Sequence, residues 1–142
     1  MKARARLWAL TLFALLMSVT ANSQTWYSYR DATWNYKNAG DYWKSTIEVR
    51  TAEQLAQLAW AVNELGETFE NKIVLLKADI DLNKVVDGQR VRWIPIGFKN
   101  KQAFKGIFVS DIDTDKGLNK TYTISGMYVD LKNTYSGGII NS

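Results

Sequence analysis

Two sets of alternating acids are the positions of this chain whose residue types and spacing could do chemistry. Asp111, Asp113 and Asp115 place three carboxylates at every second residue, the layout of a calcium loop. A helix-loop-helix calcium site wants glycine at its sixth position and glutamate at its twelfth. Here those positions are Lys116 and Tyr122, Gly117 comes one residue late, and strands are expected on both sides. The expectation is a solvated acidic loop that binds calcium weakly or not at all. Asp79 and Asp81 form the second set, continued by Asn83. Acids two apart on a strand lie about 6.5–7 Å apart along it, within the roughly 5–9.5 Å that carboxylate pairs span when they cleave glycosidic bonds. A solubilising strand face accounts for the same acids without a substrate, and no catalytic residue is assigned.

A third set could bind rather than react. Trp26, Tyr29, Trp34, Tyr36 and Trp43, with Tyr27 and Tyr42 between them, crowd residues 24–44 without a sustained helical period. Flat aromatic faces can stack on the apolar face of a pyranose. The competing reading is an N-terminal strap pinned by its rings, since each ring buries a large apolar area.

The missing residue types narrow the chemistry further. The chain has no cysteine and no histidine. That removes disulfides, thiolate metal sites, a lipid-modified cysteine and any histidine-activated nucleophile. No cofactor is expected.

The elements that must position these sets begin after a leader. Lys2, Arg4 and Arg6 precede an apolar run over 7–17, and Ala21-Asn22-Ser23 supplies the small residues a signal peptidase reads. The run is shorter than the roughly 20 residues a membrane span needs. Cleavage between Ser23 and Gln24 is expected, with no transmembrane anchor afterwards. Of the 18 basic and 14 acidic residues, three basic ones fall in the leader, so the remainder carries +1. No dense Lys/Arg cluster appears, and nucleic-acid binding is not expected.

Residues 46–50 read as extended. Thr51 then opens a helix, with Gln54 placed for a capping box and Leu55, Leu58, Ala59, Val62 and Leu65 on one stripe. Gln57, Asn63 and Glu64 fall largely off that stripe, and Gly66 ends the helix. Residues 72–82 read as one strong strand, Asp87-Gly88 as a turn, and 93–97 (WIPIG) as a short strand at an edge or corner. Further short strands are expected at 104–108, 122–129 and 135–140.

The linked set TAEQLAQLAWAVNE, KADIDL, WIPIG, FKGIF and YTISGMYV, in that order, resembles the start of bacterial surface proteins that carry the GLUG motif. The resemblance spans roughly residues 26–140. It implies an exported, adhesin-like protein built as a right-handed parallel β-helix, with the helix as its N-terminal cap. Residues 109–120 depart from the family pattern, replacing a tight turn with a longer polar loop. Residues 135–140 look like the opening of the glycine-rich element, with no further repeat after it.

The resulting expectation is an all-β fold with one capping helix, in three segments: a signal peptide at 1–23, a strap at 24–44, and helix plus first coils at 45–142, truncated at the C-terminal end. The expected role is a non-enzymatic, secreted or cell-surface module that contacts a host or cell-surface protein or glycan. The rival is a polysaccharide-binding or polysaccharide-degrading β-helix. An open C-terminal edge near Ile139 and Ile140 is expected to self-associate.

Overall fold

The computed structural model describes residues 24–38, 40, 45–98, 103–113 and 120–130. Strand β1, Thr46–Val49, alternates polar and apolar residues, and Ile47 and Val49 turn fully into the core. Helix α1, Ala52–Leu65, follows at once. Thr51 caps it by accepting the Gln54 N–H at 3.1 Å. The Gln54 side chain reaches back to the Arg50 N–H at 2.9 Å, one residue earlier than a capping box would place it. Gly66, at φ 75°, ends the helix, and the Glu67 N–H donates to the Ala61 carbonyl at 3.1 Å.

The buried part of α1 is wider than one stripe. Gln57 and Asn63, expected off the stripe, are 7% and 2% exposed, whereas Leu65, expected on it, is 57% exposed. The cause is cover on a second side: the 3-10 turn Trp26–Tyr29 of the strap packs on the helix. A helix covered twice buries positions that a one-sided stripe would leave in water.

The expected strand over 72–82 divides in two. β2, Ile73–Leu76, ends where the Lys77 N–H donates to the Val49 carbonyl (2.8 Å). β3, Ile80–Asp81, begins where the Ile80 N–H donates to the Thr123 carbonyl (2.9 Å). The chain leaves one sheet and enters another, so a single apolar run serves two. β4, Val85–Val86, and β5, Gln89–Arg90, form a hairpin whose central Asp87 (φ 51°) and Gly88 (φ 74°) are both left-handed, the twist-matched two-residue turn. Residues 93–97 form no strand. Arg92 makes an isolated parallel bridge with Thr25, and the chain then turns at Gly97 (φ 76°).

β6, Ile107–Ser110, begins three residues later and ends two residues later than expected. Gly106 precedes it, and a side chain there would stand 2.8 Å from the Phe69 carbonyl, so the approach of two backbones requires glycine. β7, Ile112–Asp113, pairs antiparallel with β8, Lys120–Thr121, in the region expected to be only a loop. β9, Ile124–Ser125, is all that forms of the strand expected at 122–129, because the chain turns at Gly126 (φ 68°). The expected strand at 135–140 lies outside the described residues.

The long-range pairings are parallel. One sheet runs β1-β2-β6 with Ile47, Val74 and Phe108 in one register row and Val49, Leu76 and Ser110 in another. A second pairs β3 with β9, Ile80 beside Ile124. Arg92 and Trp93 sit between the strap and the last segment: Arg92 N–H donates to Gln24 (3.0 Å), and Trp93 N–H to Tyr128 (2.7 Å). The core lies between these sheets and α1, with Ile47, Leu55, Leu58, Val62, Val74 and Leu82 sealed from water. Each such side chain contributes about 1.5–3 kcal/mol of burial. Among the described residues the architecture is mixed to mostly β, with one α-helix, two small parallel sheets, two antiparallel pairs and no closed barrel.

Candidate functional site

The aromatic strap is held by backbone before its rings are considered. The Trp26 N–H donates to the Arg92 carbonyl at 2.9 Å, and the indole Nε1 donates to the Leu82 carbonyl at 3.2 Å. Both bonds draw the strap onto residues 82–92, and Trp26 is only 3% exposed. Tyr36 is buried too, its hydroxyl donating to Glu67 at 3.0 Å. Its ring belongs to a row, Trp34–Tyr36–Phe69–Phe104, with centroids 6.1, 5.2 and 6.1 Å apart. Phe69 holds a left-handed φ of 52°, unusual for a bulky residue, and its ring is gripped in this row from both sides.

Of the five candidate stacking aromatics, Tyr29 and Trp34 therefore retain partly open faces. Tyr29 packs edge-on to Trp26 (6.2 Å), and the Lys84 ammonium stands 4.5 Å from its centroid. Arg30 covers Trp60 in the same manner at 4.4 Å. These cation–ring contacts strengthen in proportion to their desolvation. Trp43 lies outside the described residues.

Sequence reasoning missed the polar centre beneath the strap. The Asn63 Nδ2 donates to the Tyr27 hydroxyl (2.6 Å) and to the Pro95 carbonyl (2.9 Å). Its Oδ1 accepts the N–H groups of Gly97 (2.9 Å) and Phe98 (3.1 Å). Every hydrogen-bonding position of the carboxamide is filled, the arrangement a buried polar group requires. Burial raises the Tyr27 pKa above its ordinary value, only partly offset by the Asn63 bond. The one available signal was an asparagine between apolar helical positions, which reads as exposed unless the second cover is known. Gln57, also buried, has an Oε1 with no hydrogen-bond partner.

The acids at 79, 81 and 111 are engaged with backbone or a lysine rather than left facing one another. Asp79 Oδ1 accepts the Thr123 N–H at 3.0 Å and its hydroxyl at 3.3 Å. Asp81 Oδ1 accepts the Asn83 N–H at 2.8 Å, in a local turn against which Gly126 packs. Asp111 forms an ion pair with Lys77, and that hydrogen bond raises the lysine's pKa. Asp113 sits in β7 beside Lys120, and Asp115 lies outside the described residues. Among the described residues no three acids converge on one point where a metal would sit. Asp31, on the strap, has its pKa lowered by the Thr33 hydroxyl, which donates at 2.7 Å, and by the Thr33 and Trp34 N–H groups.

At the expected cleavage junction Ser23 lies outside the described residues, while Gln24 is exposed with its carbonyl bonded to Arg92. None of the described helices is long and apolar enough to cross a membrane. Compared with protein-family models, curated proteins and solved structures, the chain matches none of them.

Proposed function

We propose that this chain is the opening of a right-handed parallel β-helix and serves as a non-enzymatic, exported, adhesin-like surface module. The observation that carries this reading is the repeated parallel return of the chain. β1, β2 and β6 stack in one register while β3 and β9 stack in another. Stacked coils present their turns as a contact surface and need no internal cavity. Two further features support it. Asp79 and Asp81 are committed to backbone contacts within and between coils. The strap turn packs on α1, and Gly40 approaches Thr46 and Glu48 of β1, the first strand of the stack, as a cap requires.

The carbohydrate reading keeps one specific support, the half-open rings of Tyr29 and Trp34. An array of glycans and extracellular-matrix proteins, probed with the exported chain and its Trp34→Ala and Tyr29→Ala variants, separates the two. The adhesin reading expects protein binding unaffected by either change. Saturable glycan binding lost in both variants would replace it with the carbohydrate reading.

A further inference from the structure

Cleavage between Ser23 and Gln24, as the export reading requires, turns the Gln24 backbone nitrogen into a primary amine. A terminal amine is partly neutral, and therefore nucleophilic, near neutral pH. An amine and a γ-carboxamide on one residue can close a five-membered lactam. In this fold both arms of that residue are held. The Gln24 carbonyl accepts the Arg92 N–H at 3.0 Å, one of the two bonds that bridge the strap to Arg92. The side chain is held from the other direction, where Gln24 Oε1 accepts a hydrogen bond from the Tyr29 hydroxyl. Tyr29 in turn ends the 3-10 turn, packs edge-on to the buried Trp26 and carries the Lys84 ammonium 4.5 Å from its ring centroid. Gln24 is exposed, so a leaving group has a path to solvent.

We propose that Gln24 is a self-modification site: once it is the amino terminus it cyclises to pyroglutamate, with the Tyr29 hydroxyl as donor to the reacting carboxamide. The α-amine lone pair attacks Cδ, and Oε1 gains negative charge as the carbon becomes tetrahedral. The Tyr29 O–H is already aimed at that oxygen. A fixed donor placed where charge develops stabilises the transition state more than the ground state. Collapse restores the carbonyl and breaks the Cδ–Nε2 bond, and the proton given up by the amine leaves with the amide nitrogen as ammonia. No oxidant, metal or co-reactant is consumed. Restraint of both arms also reduces the rotational freedom that ring closure must remove. The lactam keeps its carbonyl oxygen, so the bond to Tyr29 can persist in the product. A terminus without a free amine resists aminopeptidases, which would otherwise begin two residues before Trp26, the residue whose N–H ties the strap to Arg92. The inference rests on the export reading for its terminus and is independent of the adhesin role.

The test separates the chemistry from the export step. The chain is produced behind a removable carrier whose cleavage leaves Gln24 as the first residue. Intact-mass spectrometry then follows the loss of one ammonia with time, in buffer and in concentrated urea, for the parent and for Tyr29→Phe. The folded parent should cyclise several-fold faster than the same chain in urea. Tyr29→Phe keeps the ring but not the donor, and should fall to the urea rate while retaining the circular dichroism spectrum. Cyclisation in the folded parent no faster than in urea, or a folded Tyr29→Phe as fast as the parent, would overturn the proposal. Protein recovered outside the cytoplasm should carry the lactam, and a Gln24 terminus there that keeps its ammonia would overturn it too. A different terminus in that fraction would count against the export reading instead, and the rate comparison would still decide the chemistry.

Discussion

The Asn63 carboxamide oxygen accepts the Gly97 N–H at 2.9 Å, joining helix α1 to a turn 34 positions later. The bond explains the WIPIG corner better than a strand does. Pro95 has no N–H to offer a sheet, its carbonyl is taken by Asn63, and the left-handed Gly97 aims its own N–H at the same side chain. Helix, strap and corner thus share one buried amide.

Asn63→Ala should therefore be costly although it removes only a few atoms. It strands the Tyr27 hydroxyl, the Pro95 carbonyl and two N–H groups, and an unsatisfied buried group costs roughly 1–3 kcal/mol. A total of about 2–4 kcal/mol is expected, lowering Tm by ~10 °C or more. Thermal unfolding followed by circular dichroism checks this, and a shift under a few degrees would mean that water replaces the side chain.

Gln57 yields a paired prediction that reverses the expectation from helical periodicity. Read as off the stripe, Gln57→Asp should be as mild as a surface change. Buried, it should cost roughly 3 kcal/mol or more, matching Leu58→Asp, because each leaves a charge without a partner. Gln57→Leu should be neutral or stabilising by about 1 kcal/mol, since it removes an unpaired acceptor. Urea denaturation midpoints order the three.

Two glycines separate strain from crowding. At Gly88 the φ is left-handed and nothing stands within 4 Å, so Gly88→Ala should cost about 1 kcal/mol through backbone strain alone. At Gly126 a side chain would also stand 2.5 Å from Asp81 Oδ1 and 2.6 Å from the Asn83 nitrogen. Gly126→Ala should lose at least ~2 kcal/mol, splaying the β3–β9 contact. Similar costs would mean that the seam yields easily.

Alkaline pH should weaken the fold before it breaks any backbone pairing. Tyr27 is held neutral by burial and Lys77 is held charged by Asp111, so both bind protons more tightly when folded. Their contributions are complete below the ordinary tyrosine and lysine values, near pH ~10, and are lost as pH rises through the folded values. Asp31 acts oppositely: its lowered pKa gives a contribution present above the usual carboxylate range and lost on acidification. Tyr27→Phe should flatten the alkaline limb of a stability-against-pH curve, at the cost of one bond to Asn63.

Export predicts a defined terminus. Protein recovered outside the cytoplasm should begin at Gln24, two residues before the buried Trp26 and with its carbonyl already bonded to the Arg92 N–H. Mass spectrometry of that fraction reads the terminus directly. Intact Met1 in the bulk of the protein would end the export reading.

What the sequence determined by itself is local. The cap at Thr51, the stop at Gly66, the turn at Asp87-Gly88 and the inward alternation of β1 follow from side chains acting on their own neighbourhood. Such signals lie within a few residues of their effect and survive any tertiary arrangement. The placement of Asn63 and Gln57, the division of 72–82 between two sheets, and the engagement of Asp79 with Thr123 were decided only by packing. Each depends on a partner 30 or more positions away, or on a second surface laid over the helix. Residue type records that a side chain can be buried, but the strap that covers α1 from the far side decides whether it is.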